Sequence, residues 1–284
     1  MVILLGLAAA VLYGSGDFLG GTAARRAHVL AVLAVADTAA VIVALAAAAM
    51  SAGQARPAGL AWGIIAGLTG GLGLIVFYIG LATGPMSVVA PVSGLVSMVL
   101  PVAAALAEGE RPGAGVYAGA VLCLVAIVLA SSADNTSAVA GPGRPRRSRA
   151  IAYGIASGAS FGLFFLLIRN AGQSGALWPV AAGRVGELAI VLIAAAVLRR
   201  GLLPRGTGGR PLLAAAAAGV IDVVANICYV AATRTGMFGL VVVLASLYPG
   251  VTVLLARVVL GERLRWVQRA GLGLAAIGIL LVAA

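Results

Sequence analysis

Apolar residues run through this chain in long blocks, interrupted at near-regular intervals by Arg, Pro and Gly. Ten blocks stand out, at residues 2–22, 29–50, 59–81, 86–106, 114–131, 150–169, 177–198, 211–231, 237–257 and 267–284. Each is close to the roughly 20 predominantly apolar residues that a helix needs to cross a hydrocarbon core about 30 Å thick. Gly and Pro inside the blocks fit this reading, because both are more frequent in membrane helices than in soluble ones. The pattern predicts an all-α integral membrane protein with ten transmembrane helices. The first block begins without a basic lead and is followed by Arg25 and Arg26, which reads as a retained helix rather than a cleaved signal.

Residues 132–149, between the fifth and sixth blocks, are polar and rich in Pro, Gly and Arg, the composition of a flexible linker. They divide the chain into residues 1–131 and 150–284, with five blocks each. A second basic connection covers 199–210. Sliding the first half by 152 residues puts Gly109-Glu110-Arg111 on Gly261-Glu262-Arg263 without a gap. The same offset puts Gly67 on Gly219, Phe77 on Tyr229, Gly84 on Gly236 and Gly119 on Gly271. Five is an odd number, so a second copy has to enter the membrane from the opposite side. The expectation is two inverted five-helix repeats, an arrangement in which sites lie near the midplane at the interface between repeats.

Composition agrees with lipid as the solvent. Of 284 residues 62% are apolar and 10% are charged, against roughly 25% charged in an ordinary soluble domain. The net charge of +11 comes from 19 basic residues, all Arg, and most of them sit between the blocks. A nucleic-acid groove would interleave bases with aromatic residues on one face, and only 5% of the chain is aromatic. Loops after the odd-numbered blocks carry roughly two, none, four, four and three Arg, and those after even-numbered blocks about one each. By the positive-inside rule this turns the odd loops to the cytoplasm and both termini outward. Cys123 and Cys228 each lie in an apolar block and read as small core residues. No spacing of His, Cys and acids suits a metal, no cofactor is implied, and His28 is the single histidine. Hydrolytic or metal-dependent membrane enzymes usually need more than that, so no catalytic residue is expected.

Small residues recur every fourth position at Gly59, Gly63, Gly67 and Gly71, and again at Gly154, Gly158 and Gly162. Such stripes let helix backbones approach closely, inside the chain or across a homodimer contact.

The ionisable residues inside the blocks carry the candidate chemistry, since a charge at mid-bilayer costs about 2.5–3.5 kcal/mol even on the mildest scales. Glu187 and Asp222 each lie about ten residues into their helices, roughly 15 Å deep at about 1.5 Å per residue. Arg184 and Glu187 are three apart on one face and are expected to pair, with Asp37 as a second partner for Arg184. The pair is either structural or an anchor for a charged substrate. Asp222 has no Arg within reach on its own helix and has Asn226 one turn on, so it reads as an unpaired buried acid, the kind of group that carries a proton. Asp17, in Tyr13-Gly14-Ser15-Gly16-Asp17-Phe18, sits in a segment that could bend or simply end a helix. Pro91, Pro101 and Pro249 kink the fourth and ninth blocks. Ser93, Ser97, Ser246, Tyr248 and Tyr229 are candidates to line the path between them, although serines in helices also bond back to their own carbonyls. Glu110 and Glu262, each at a helix end, read as caps or salt-bridge partners.

Leu260-Gly261-Glu262-Arg263-Leu264 after a Pro-containing helix, with Ala107-Glu108-Gly109-Glu110-Arg111-Pro112 in the first half and Gly14-Ser15-Gly16-Asp17-Phe18 in the first helix, resembles the EamA-type transporters of the drug/metabolite transporter superfamily. The resemblance covers nearly the whole chain. It implies a multi-pass transporter of the bacterial inner membrane, moving an amino acid or related metabolite by alternating access. Export and coupling to protons belong to the same implication. The central cavity would be lined by helices 1, 3, 4, 6, 8 and 9, with 5 and 10 peripheral. Tyr13 stands where the family commonly has Trp, the Arg count opposes the family's cytoplasmic termini, and Pro101 and Pro249 differ in their spacing to Glu110 and Glu262. The implied partners are a small-molecule substrate, the bilayer and protons, with no nucleic acid, for a monomer or homodimer. The rival reading is a structural or lipid-scrambling membrane protein without specific solute transport.

Overall fold

The computed structural model describes every residue except 52, 85, 112, 132–146, 173–176, 200, 202–208, 236–237, 260–265 and 284. Among the described residues the chain is helical throughout: α1 (Val2–Ala24), α2 (Val29–Ala49), α3 (Pro57–Thr83), α4 (Met86–Ser97), α5 (Val99–Ala107), α6 (Ala114–Ser131), α7 (Arg147–Gly172), α8 (Leu177–Val197), α9 (Gly209–Thr235), α10 (Phe238–Ala245), α11 (Tyr248–Val259) and α12 (Trp266–Ala283). Eight stretches are long and apolar enough to cross a membrane: α1, α2, α3, Val88–Ala107, Ser148–Asn170, α8, Gly209–Arg234 and Phe238–Ala256. The chain is therefore a multi-pass membrane protein. Helices α6 and α12, of 18 residues each, lie outside those eight and lie against one another.

Several helices overrun their apolar blocks. Helix α3 starts at Pro57, whose fixed φ and missing N–H suit the first helical position. Helix α7 starts at Arg147, inside the segment read as linker, because Arg at a helix end can keep its charge in the aqueous interface. The rest of that linker, 132–146, lies outside the described residues, as do most of 199–210 and the Leu260–Leu264 motif with Glu262.

The fourth and ninth blocks are each broken rather than merely kinked. Helix α4 ends at Ser97, four residues before Pro101, and α10 ends at Ala245, four before Pro249. Proline has no N–H for the carbonyl one turn earlier, and its ring crowds that carbonyl. The two breaks thus have one cause, and their unequal spacing to Glu110 and Glu262 does not separate them. Pro91, in contrast, lies within α4 without breaking it.

Helix contacts run mainly between the halves. Helix α3 lies against α7 and α8, and α9 against α1 and α2. Helix α4 packs on α7, α10 and α11 pack on α1, and α2 meets α8. Both glycine stripes serve these internal contacts. A Cβ on Gly63 or Gly67 would fall on the backbone of Pro179 or Gly183 in α8. One on Gly158 or Gly162 would press on the Ser93 or Ser97 carbonyl of α4. The stripes are consumed within the chain and are not the homodimer contact that their spacing also allowed.

Candidate functional site

Close helix crossings hold the buried charges. Gly183 lies on the backbone of α3, and Gly186 lies over the Ile64 carbonyl. Arg184, between them, is thereby held in the interior with 3% of its surface exposed. Gly219 of α9 lies against the Ala36 carbonyl of α2 in the same way, next to Asp37 and one turn before Asp222. Gly70 leaves room for Glu187, since a Cβ there would come within 2.8 Å of its Oε1.

Arg184 Nη1 donates to Glu187 Oε2 at 2.5 Å and also to Asp222 Oδ2 on α9. The pairing with Glu187 is the expected one. The reading of Asp222 as an unpaired acid is corrected: its cation comes from another helix, which spacing along one helix cannot reveal. The recorded acid partners of Arg184 are thus Glu187 and Asp222, and not Asp37 as expected. Asp37 is buried and its Oδ2 has no hydrogen-bond partner among the described residues. Asn226 donates from Nδ2 to the Asp222 backbone carbonyl at 2.9 Å and more weakly to Oδ2 at 3.4 Å, leaving its own Oδ1 without a partner among the described residues.

These groups line a cavity of about 400 Å³ walled by Tyr13, Asp17, Gly70, Leu74, Phe161, Phe164, Phe165, Arg184, Glu187, Asp222, Asn226 and Tyr248. An adjoining lobe of about 310 Å³ shares Asp17, Leu74, Arg184 and Asp222 and reaches Asp37 and Tyr78. One wall is aromatic. Tyr13 stands edge-on to Phe165 and Tyr248 at 5.9 and 6.4 Å between ring centroids, and Phe164 meets Phe165 at 5.4 Å. Among the described residues no group of His, Cys, Asp and Glu has the arrangement of a metal site.

Of the residues predicted for the site, Asp222, Glu187, Arg184, Asp17, Asn226 and Tyr248 line the cavity. Three do not. Tyr229 is fully buried behind the wall, stacked on Phe165 at 4.9 Å with its hydroxyl near the Phe165 carbonyl at 3.4 Å. Ser93 is buried between α4 and α7, where Ser157 donates to it at 3.0 Å. Ser246 lies in the break between α10 and α11, buried and without a hydrogen-bond partner among the described residues. The Gly14–Phe18 segment does not bend. Helix α1 is continuous, and Gly14 instead admits the Tyr248 carbonyl of α11. The sequence reading missed Phe161, Phe164 and Phe165, whose spacing puts them on one helical face. That face could as well have met lipid, because lipid and a cavity wall accept the same rings.

The EamA-like transporter family model matches residues 1–132 and 148–284, nearly the whole chain. The chain belongs to the EamA-like transporter family. The Gly14–Phe18 and Glu108–Arg111 segments that suggested this membership lie in the first matched stretch. One crystal structure, described in print only as that of a protein, superposes with a TM-score of 0.76 over 99% of this chain and 95% of that one, at 19% identity. That likeness concerns the fold alone. None of the curated proteins searched matches the chain in sequence. The family is one of transporters, so the cavity is the natural place to look for a transported solute.

Proposed function

We propose that this protein is a secondary transporter that exports a small metabolite, of amino-acid size, across a bacterial inner membrane by alternating access. The single observation that carries the reading is the set of ionisable groups, Arg184, Glu187, Asp222 and Asp17, on one cavity inside the apolar spans. A charged group in that position is costly unless it has work to do. Helices α6 and α12 are taken as the ninth and tenth spans, and the ten as two inverted five-helix repeats joined by 132–146. In favour of this, the family match falls into two stretches, one per half. The inter-helix contacts also come in exchangeable pairs: α3 on α7 answers α9 on α1, and α3 on α8 answers α9 on α2. The proline breaks before Pro101 and Pro249 answer each other in the same way. Two such halves can trade conformations, which turns the site from one side of the membrane to the other.

Coupling to protons is part of the proposal. Carboxyl groups outnumber bases around the cavity, and Asp222 is partly open to it, with 23% of its side chain exposed. The test is solute flux in proteoliposomes under an imposed proton gradient. Flux that responds to the gradient and is lost in Asp222→Asn supports the reading. Movement of labelled lipid with no flux of any water-soluble metabolite would overturn it.

A further inference from the structure

The charges and the unspent hydrogen-bonding groups of the cavity select a substrate class, an inference that rests on the transport reading above. Four carboxyl groups face the two lobes, from Asp17, Asp37, Glu187 and Asp222. One guanidinium faces them, from Arg184, and it already donates to two of the four. Among the described residues no other basic residue lines either lobe. Asp17 makes no hydrogen bond or ion pair among the described residues, although it stands at the waist shared by both lobes. An anion entering here would meet four carboxyl groups and an Arg whose hydrogen bonds already go to two of them. A cation would instead give Asp17 a partner.

Hydrogen-bonding capacity points the same way. Asn226 is 2% exposed, and because its Nδ2 is spent on Asp222 its Oδ1 is an acceptor without a donor. The Tyr13 hydroxyl, on a residue 8% exposed, also lacks a partner among the described residues. Buried polar atoms left unpaired are costly, and these two line the cavity itself. An ammonium group offers three donors and no acceptor, which complements a carboxylate, an amide oxygen and a hydroxyl. Phe161, Phe164, Phe165 and Tyr248 in the lining add aromatic rings, whose π-systems attract cations, and apolar surface for the rest of a ligand.

We propose that the cavity binds an organic cation, an ammonium group on an aromatic or other apolar body, with the ammonium received by Asp17, Asp222 and Asn226. This narrows the solute from amino acids in general to amines, because the carboxylate of an amino acid finds no uncommitted base.

The full-length protein, purified in detergent, is titrated with three probes of nearly one size: phenethylamine, phenylacetate and 2-phenylethanol. A ligand that binds only the folded state raises the melting temperature in a saturable way. Phenethylamine is expected to do so, and the other two are not. Asp17→Asn is expected to weaken phenethylamine binding about tenfold or more. It should not lower the ligand-free melting temperature, because Asp17 has no hydrogen-bond or ion-pair partner among the described residues to lose. Asn226→Leu is expected to weaken binding as well, which provides a second test should one variant fold poorly. Stabilisation by phenylacetate or 2-phenylethanol equal to or above that by phenethylamine overturns the proposal, as does no stabilisation by phenethylamine. Flux of another solute without phenethylamine binding would sink the cation class and spare the transport reading. Phenethylamine binding with no flux of any solute would do the reverse.

Discussion

Arg169 and Arg184 both hold carboxylates, at different depths. Arg184 lies in the interior with 3% of its side chain exposed and serves Glu187, equally buried, and Asp222. Arg169, in the last turn of α7, pairs with Glu108 at 2.7 Å, with 19% and 51% of the side chains exposed. Arg169 also lies over the Phe238 ring at 4.2 Å. Next to this pair, Glu110 accepts from the backbone N–H of Phe238 at 2.8 Å and of Gly239 at 2.9 Å, capping the start of α10. The chemistry is alike and the solvent is not. An exposed pair gives back little because water serves each partner nearly as well. A buried set has no such alternative, so each member depends on the others. The peripheral cluster therefore serves as a tie between the ends of α5, α7 and α10. The central cluster is where charge can be exchanged for a ligand.

Breaking the central set should have the largest effect. Arg184→Ala leaves Glu187 and Asp222 without their cation and is expected to cost about 3–5 kcal/mol. It should appear as a collapse of the monodisperse peak in fluorescence-detected gel filtration. A variant as stable as the parent would mean that the two acids are already served by water or protons. Adding Glu187→Gln and Asp222→Asn to Arg184→Ala should recover much of the loss, which a double-mutant cycle would quantify.

The crossing beside Arg184 comes next. Gly67→Ala puts a methyl group on the Gly183 backbone, and overpacking of this kind costs about 1–3 kcal/mol. The melting temperature should fall, and transport should fall with it because Arg184 shifts. Unchanged flux in a destabilised protein would show that the crossing does not position the site.

At the periphery, Glu110→Ala removes a cap and should cost about 1 kcal/mol. Hydrogen exchange should report it as faster opening of the first turn of α10, with Phe238 and Gly239 losing protection first. Glu108→Gln should be the smallest change, within about 1 kcal/mol. A Glu108→Gln penalty as large as that of Arg184→Ala would abolish the distinction between the two clusters.

Local features of the chain were enough for much of this. The spans follow from block length and hydropathy, and the breaks before Pro101 and Pro249 follow from a missing N–H. The Arg184–Glu187 pair follows from a spacing of three on one helix, and the place of Glu110 at a helix end pointed to a cap or a salt bridge, of which the cap is the one formed. Which group Glu110 caps was not legible, because Phe238 lies in the other half of the chain. Tyr229 and Ser93 were candidates for the path, yet Tyr229 packs on Phe165 and Ser93 meets Ser157, both of α7, while Ser246 is buried in the break between α10 and α11.

Sequence by itself determined that this chain dissolves in lipid, which blocks form its helices and where two of them break, and which family it joins. Each of these depends on interactions within about one turn, or on composition. Tertiary structure decided that Asp222 shares Arg184, that Asp17 stands without a partner at the waist of the cavity, and that three phenylalanines of α7 face inward. In a membrane the surroundings and the interior of the protein are both apolar, so hydrophobicity does not say which face of a helix turns in. Close helix crossings, such as those at Gly67, Gly183 and Gly219, fix that.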